Sequence, residues 1–144
     1  MAMPSSLLVA LQLAAMVAAV LPAGAASWYP AGYVPLAAAA ALGAWTLLHN
    51  RPGNFGIFPE PRERARLVTT GPYALVRHPM YLAVLLFAAG FALGWRGVSQ
   101  LLALALLAAV LHVKASREER LLAQKFPEYR DYAARTARIV PGLR

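Results

Sequence analysis

Residues 79–113 read PMYLAVLLFAAGFALGWRGVSQLLALALLAAVLHV, and this stretch decides the fold. Its one charged side chain, Arg96, sits in the tetrad Gly94-Trp95-Arg96-Gly97, which divides two apolar runs. Each run, 79–95 and 98–113, makes about 25 Å of α-helix at 1.5 Å per residue. That is close to the lower limit of roughly 17 apolar residues for a bilayer span. A turn this short folds the two runs back on each other. Toward the N-terminus, residues 1–50 contain no Asp, Glu, Lys or Arg. They have room for two more helices, 5–21 and 34–49, with Pro22, Gly24, Pro30, Gly32 and Pro35 as the punctuation between them. The expectation is an all-α polytopic membrane protein of one domain over residues 1–144. It has four transmembrane helices, a connecting loop over 50–78 and an amphipathic tail over 114–144.

Composition agrees. Only 14% of the 144 residues are charged, against about a quarter in a soluble domain, so neither an ordinary soluble fold nor disorder fits. The absence of cysteine excludes disulfides and thiolate metal sites. The net charge of +8 could point to nucleic acid, but the charges are gathered in two blocks. Arg51, Arg62, Arg64, Arg66 and Arg77 lie with Glu60 and Glu63 in the first; eight basic and four acidic residues follow from Lys114 onward. Each block follows an even number of spans, so both share one side with the N-terminus. By the positive-inside rule that side is cytoplasmic, with both termini there. Interfacial arginines meet lipid headgroups, and no nucleic acid is needed. Trp28, Tyr29, Tyr33 and Trp95 then mark the opposite interface. Arg- and Ala-rich composition points to a bacterial plasma membrane. An alternative for the N-terminus is a cleaved leader ending at Ala23-Gly24-Ala25, although its first residues lack the usual Lys or Arg.

The loop 50–78 holds Pro52, Pro59, Pro61 and Pro72, which forbid one continuous helix, yet Phe55, Ile57, Phe58, Leu67 and Val68 are too apolar for a loose linker. Such a loop covers something. Pro79 suits the first turn of the third span, where its missing N–H costs nothing, and His78 falls at the cap. That helix start could hold an anionic group. In the second block Leu121, Leu122, Phe126, Tyr129 and Tyr132 recur at near-helical spacing, so the fourth helix continues past the membrane and another restarts at Pro127. Lys114 and Glu118 share a helix face, whereas Glu118 and Glu119 diverge by about 100°. Only one glutamate can point into a given pocket.

The string Leu67-Val68-Thr69-Thr70-Gly71-Pro72-Tyr73, followed by Val76-Arg77-His78-Pro79-Met80-Tyr81, resembles the signature of the isoprenylcysteine carboxyl methyltransferase family and its bacterial relatives. So does the downstream pattern Glu118-Glu119-x-x-Leu122, Phe126, Tyr129, Tyr132, closing on Ile139-Val140-Pro141-Gly142. The related phosphatidylethanolamine N-methyltransferases share the paired glutamates. The resemblance implies a membrane enzyme that takes a methyl group from S-adenosylmethionine held in a cytoplasm-facing pocket. Carried over by position, that pocket uses Leu67, Val68, Tyr73, His78, Pro79, Met80, Tyr81 and Glu118. Lys114 stands where prenylcysteine enzymes have an arginine linked to the substrate carboxylate, which keeps the charge but loses the bidentate fork. Pro127 stands where many relatives have glycine.

Methyl transfer from a sulfonium needs alignment and exclusion of water, not a metal or a covalent nucleophile. His49, His78 and His112 lie too far apart for a zinc site, and there is no glycine-rich nucleotide loop. No residue is singled out as a catalytic base. The acceptor is expected to be small or lipid-like and to arrive from the bilayer; carboxylate, amine, phenol and thiol acceptors all stay open. Two other functions compete: a non-enzymatic small membrane subunit or maturation factor, and a nicotinamide-dependent membrane reductase.

Overall fold

The computed structural model describes residues 3–22, 27–50, 54 and 56–143. The leader cleavage site considered at Ala23-Gly24-Ala25, and Arg51, Pro52 and Phe55 of the loop, lie outside the described residues. Five helices follow in order: α1 (Ser5–Val20), α2 (Tyr33–His49), α3 (Pro79–Trp95), α4 (Val98–Lys125) and α5 (Tyr129–Arg135). Short 3-10 turns at Pro30–Gly32 and Gly71–Ala74 precede α2 and α3. Among the described residues there is no strand beyond one parallel bridge between Val76 and Ala137.

The helix limits follow from local chemistry. Pro79 opens α3 at its first turn, and α4 stops ahead of Pro127. Arg96 closes α3 in the left-handed region, φ 53°, a conformation usually left to glycine. Its guanidinium lies 4.0 Å above the Tyr29 ring.

In the bundle, α2 lies along α3, α1 along α4, and α3 and α4 form the hairpin between them. Small residues set these distances. Ala15, Ala19, Ala88 and Ala103 interlock with Leu107 and Leu111 in the core. A Cβ placed on Gly94 would come within 2.3 Å of the Trp28 ring, so the glycine is what lets that indole press against α3. Trp28 then meets Trp95 at 5.0 Å and Tyr33 at 5.6 Å. The aromatic residues expected at one interface thus gather at one end of the bundle. There the last carbonyls of α1 are capped from the hairpin, by Trp95 Nε1 on Val20 at 3.2 Å and by Gln100 Nε2 on Leu21.

Two helical segments, Pro30–His49 and Val98–Lys125, are long and apolar enough to cross a membrane; Ser5–Val20 and Pro79–Trp95 are apolar but shorter. As expected from its spacing, α4 runs on without a break past Lys114. The restart comes two residues after Pro127. Opposite the aromatic end lie the connecting loop, the charged last three turns of α4 and the tail.

Candidate functional site

The segment between the loop and α3 is held from two sides. Gly71 adopts a positive φ of 61°, and a Cβ there would strike the His49 ring at 2.6 Å, so the turn into Pro72 is available to glycine alone. Tyr73 then accepts a hydrogen bond at its hydroxyl from Asn50 Nδ2 (2.9 Å) and at its carbonyl from the Tyr132 hydroxyl (2.7 Å). The next residues pair with the tail: Arg77 N–H donates to Ala137 O (2.9 Å) and His78 N–H to Arg138 O (3.0 Å).

The two glutamates divide as the helix geometry requires. Glu119 turns to the cations. Its Oε1 accepts from Arg77 Nε at 2.7 Å and lies 3.2 Å from His78 Nε2, while Oε2 is 3.3 Å from Arg138 Nε. Arg77 also donates to the carbonyls of Ala133, at 2.8 Å, and of Thr136. Burial pushes the Glu119 carboxyl up, but the His78 and Arg77 hydrogen bonds and charges outweigh it and hold the group down at about 2. Glu118 faces the other way. It accepts from the Tyr81 hydroxyl at 2.8 Å and lies 3.6 Å from His78 Nδ1. The His78 and Tyr81 rings stack at 5.0 Å with 5° between planes, so the pair forms a rigid plate under Glu118.

Two adjoining cavities of about 90 Å³ each lie between this plate and the loop, sharing Asn50, Asn54, Gly56, Tyr73, Arg77 and Glu118. One adds Leu67, Val68, Leu122, Tyr129 and Tyr132; the other adds His78, Pro79, Met80 and Tyr81. All eight residues expected in the pocket therefore line one continuous site, although they come from the loop, α3 and α4. Drug-sized ligands occupy about 300–1,000 Å³, so a nucleoside-sized guest requires the loop to lift. The loop is pinned at polar points. Lys125 Nζ donates to the carbonyls of Arg62 and, at 2.9 Å, Glu63; Glu60 takes Ser5 Oγ at 2.5 Å and Arg117 Nη2 at 2.9 Å.

Lys114 is placed differently from the acceptor-binding role expected of it. It is 2% exposed, lines neither cavity, and donates to Gln12 Oε1 (2.5 Å) and Ile57 O (2.9 Å). Its ammonium ties α4 to α1 and to the loop. Gln12, the one polar side chain in the middle of α1, is the sequence signal that could have announced a buried partner.

Sequence reading also passed over Asn54 and gave Tyr129 no role in the site. Asn54 donates to Arg66 O (3.1 Å) and accepts from Arg66 N–H (2.9 Å), closing the loop like a ladder rung, and donates as well to Asn50 Oδ1 (2.9 Å). Tyr129, 3% exposed, has a buried hydroxyl with no hydrogen-bond partner among the described residues and lies on the cavity wall. Burial pushes its phenol well up, and pushes those of Tyr73 and Tyr132 up to about 12. These three hydroxyls therefore stay protonated donors at neutral pH.

A family model described as phospholipid methyltransferase matches residues 36–129, which is well over half of the chain. The chain belongs to the phospholipid methyltransferase family. The match takes in the loop, α3 and the part of α4 that carries both glutamates. Over 83 residues, 57% of its length, the chain is 37% identical to the nickel-cobalt-cadmium resistance protein NccN of Alcaligenes xylosoxydans xylosoxydans. An 83-residue match of the same share is 40% identical to the cobalt-zinc-cadmium resistance protein CzcN of Cupriavidus metallidurans. These matches span only 39% and 38% of the two relatives.

The donor set suits a methyl donor of the S-adenosylmethionine type. Glu118 offers a carboxylate to hydroxyl or amino groups, the unpartnered Tyr129 hydroxyl offers a donor, and Leu67, Val68 and Leu122 offer apolar walls for a flat base.

Proposed function

We propose that this chain is an integral-membrane methyltransferase using S-adenosylmethionine, with a small or lipid-like acceptor that enters from the bilayer. The observation that carries the reading is the shared cavity. Two motifs about 40 residues apart in sequence bring Tyr73, His78 and Glu118 together under one apolar loop. In the same reading all four long helices span the membrane, residues 98–113 of α4 being its membrane-crossing part, and the charged end is cytoplasmic.

The cofactor, when bound, supplies an electrophilic methyl group on a sulfonium. Glu118 accepts hydrogen bonds from its hydroxyl or amino donors, and the Tyr129 hydroxyl donates to it. The His78 and Tyr81 plate, fixed by Glu119 and Glu118, gives it a rigid floor, and the loop excludes water. A second cavity of about 380 Å³ between α1, α2 and α3 supports an apolar acceptor. It is lined by Met16, Leu36, Gly43, Ala83 and Phe87, and Met80 is common to it and to the cofactor site.

Purified chain in detergent is expected to gain thermal stability with S-adenosylhomocysteine, a ligand at 100 times its dissociation constant adding about 2.7 kcal/mol. Glu118→Gln is expected to weaken that binding at least about tenfold, the loss of one charge-assisted hydrogen bond. Unchanged affinity in the variant removes the role of Glu118. The names of the two relatives favour one other reading, a non-enzymatic membrane subunit of a metal-resistance system. Stabilisation by neither S-adenosylhomocysteine nor NADPH supports it; stabilisation by NADPH alone supports a reductase.

A further inference from the structure

On the far side of the Arg77–Glu119 pair from the cofactor site lies a separate groove of about 480 Å³ between α3, α4 and the tail. Its polar end presents Arg77, Arg138, Glu119 and His112; its floor and rim are Leu85, Ala108, Ile139, Val140 and Leu143. From this arrangement we infer that the groove binds an anionic phospholipid, with the headgroup phosphate at Arg138 and His112 and an acyl chain along Leu85 and Ala108. The inference goes beyond the methyltransferase reading and rests only on the charged end facing the headgroup layer.

Three observations carry it. First, Arg77 and Arg138 both converge on the one carboxylate of Glu119, at 2.7 and 3.3 Å. Two guanidiniums against one carboxylate leave a positive excess. Glu118 does not offset it, because it is turned to Tyr81 and His78 on the other side. Second, Arg138, one half of that excess, is partly buried and incompletely hydrogen-bonded. The Arg138 side chain is 21% exposed, and its Nε, although within ion-pair reach of Glu119, is buried without a hydrogen bond among the described residues; its Nη2 donates to Ser116 Oγ at 2.6 Å. A guanidinium fork with spare donors is the group best matched to phosphate oxygens. Third, the rest of the groove is apolar and its rim is open: Val140 is 42% and Leu143 66% exposed. Its acyl-facing wall, residues 85 and 108, lies on the two hairpin helices, while His112 sits at the last turn of the membrane-crossing part of α4. Charge at that level with an apolar channel below matches an amphiphile rather than a soluble anion.

The test uses the full chain in a neutral detergent, with thermal unfolding followed during titration with phosphatidylglycerol, phosphatidylcholine or glycerol phosphate. Phosphatidylglycerol is expected to raise the midpoint saturably, and the other two are not. His112→Glu, at an exposed site, is expected to weaken the phosphatidylglycerol effect about fivefold, as one opposing charge near the headgroups does. Ala108→Trp, which fills the floor, is expected to abolish saturation. Both variants are expected to bind S-adenosylhomocysteine like the parent, which keeps failure of the groove distinct from failure of the methyltransferase reading. Equal stabilisation by phosphatidylcholine, an effect of glycerol phosphate alone, or variants that titrate like the parent overturn the inference. Methylation of the phosphatidylglycerol itself also overturns it, because the groove then belongs to the acceptor path.

Discussion

Glu119→Gln removes the carboxylate that Arg77, His78 and Arg138 share, and its cost can be worked in two ways. The Arg77 side chain is 9% exposed and that of Glu119 is 19% exposed. Breaking a buried pair by removing one partner costs about 3–5 kcal/mol, and the residual exposure of Glu119 places this case at the low end. Independently, the carboxyl is held at about 2 against an ordinary 4.5. That gap corresponds to about 3 kcal/mol of preference for the ionised form. Because the folded-state value is the depressed one, this stability is present above about pH 4.5 and is lost as pH falls toward 2. Unfolding by denaturant in detergent, measured from pH 7 down to 3, is therefore expected to show the variant about 3 kcal/mol weaker at pH 7. The deficit shrinks below pH 4.5, where the parent loses what the variant never had. Asp131→Asn, at an exposed position on α5, is the control and is expected to stay within about 0.5 kcal/mol. A variant as stable as the parent at pH 7, or a deficit that does not narrow on acidification, refutes the shared-carboxylate account.

Tyr129→Phe is expected to leave the ligand-free chain as stable as the parent, since the lost hydroxyl bonds nothing there, but to weaken S-adenosylhomocysteine binding by about fivefold in calorimetry. Equal affinity would show that the hydroxyl does not reach the ligand. Gly43→Leu projects a side chain into the apolar cavity, and its Cβ meets Ala83 at an ordinary 3.9 Å. It is expected to suppress turnover of lipid-like acceptors while cofactor binding holds; turnover at the parental rate removes that cavity from the acceptor path. Lys114→Gln is expected to lower thermal stability by about 1–3 kcal/mol through the stranded Gln12 and Ile57 groups, without changing acceptor KM. A raised KM with intact stability would restore the acceptor role read from its position.

Helices and their order were legible because hydrophobic runs, prolines and a four-residue turn are local signals. Nothing beyond residues 79–113 was needed to foresee the hairpin, and the charge-free first 50 residues gave α1 and α2. Pairing was not legible. That α1 would lie along α4 while α2 lay along α3 depends on Gly94 receiving Trp28 and on alanines meeting across the core, and these contacts have no sequence period of their own. The candidate site divides in the same way. Tyr73, His78 and Glu118 stood out by motif, whereas Asn54 closes a loop by pairing with the peptide of Arg66, a bond to backbone that leaves no trace in residue type.

The placement of Lys114 shows why spacing alone misassigns a charge. Lys114 and Glu118 share a helix face, and from the sequence both could serve one pocket. In the folded chain, α1 passes close to that face and offers Gln12, so the ammonium finds a neutral acceptor at 2.5 Å and the carbonyl of Ile57 at 2.9 Å before it reaches the cavity. One turn nearer its start, α1 offers the buried Leu8 in place of a polar group, and Glu118 is left to Tyr81 of α3 and to His78 at its cap. The α1 helix thus decides which of two charged residues on one face becomes structural. A partner helix with an apolar residue in place of Gln12 would be expected to leave both charges at the site.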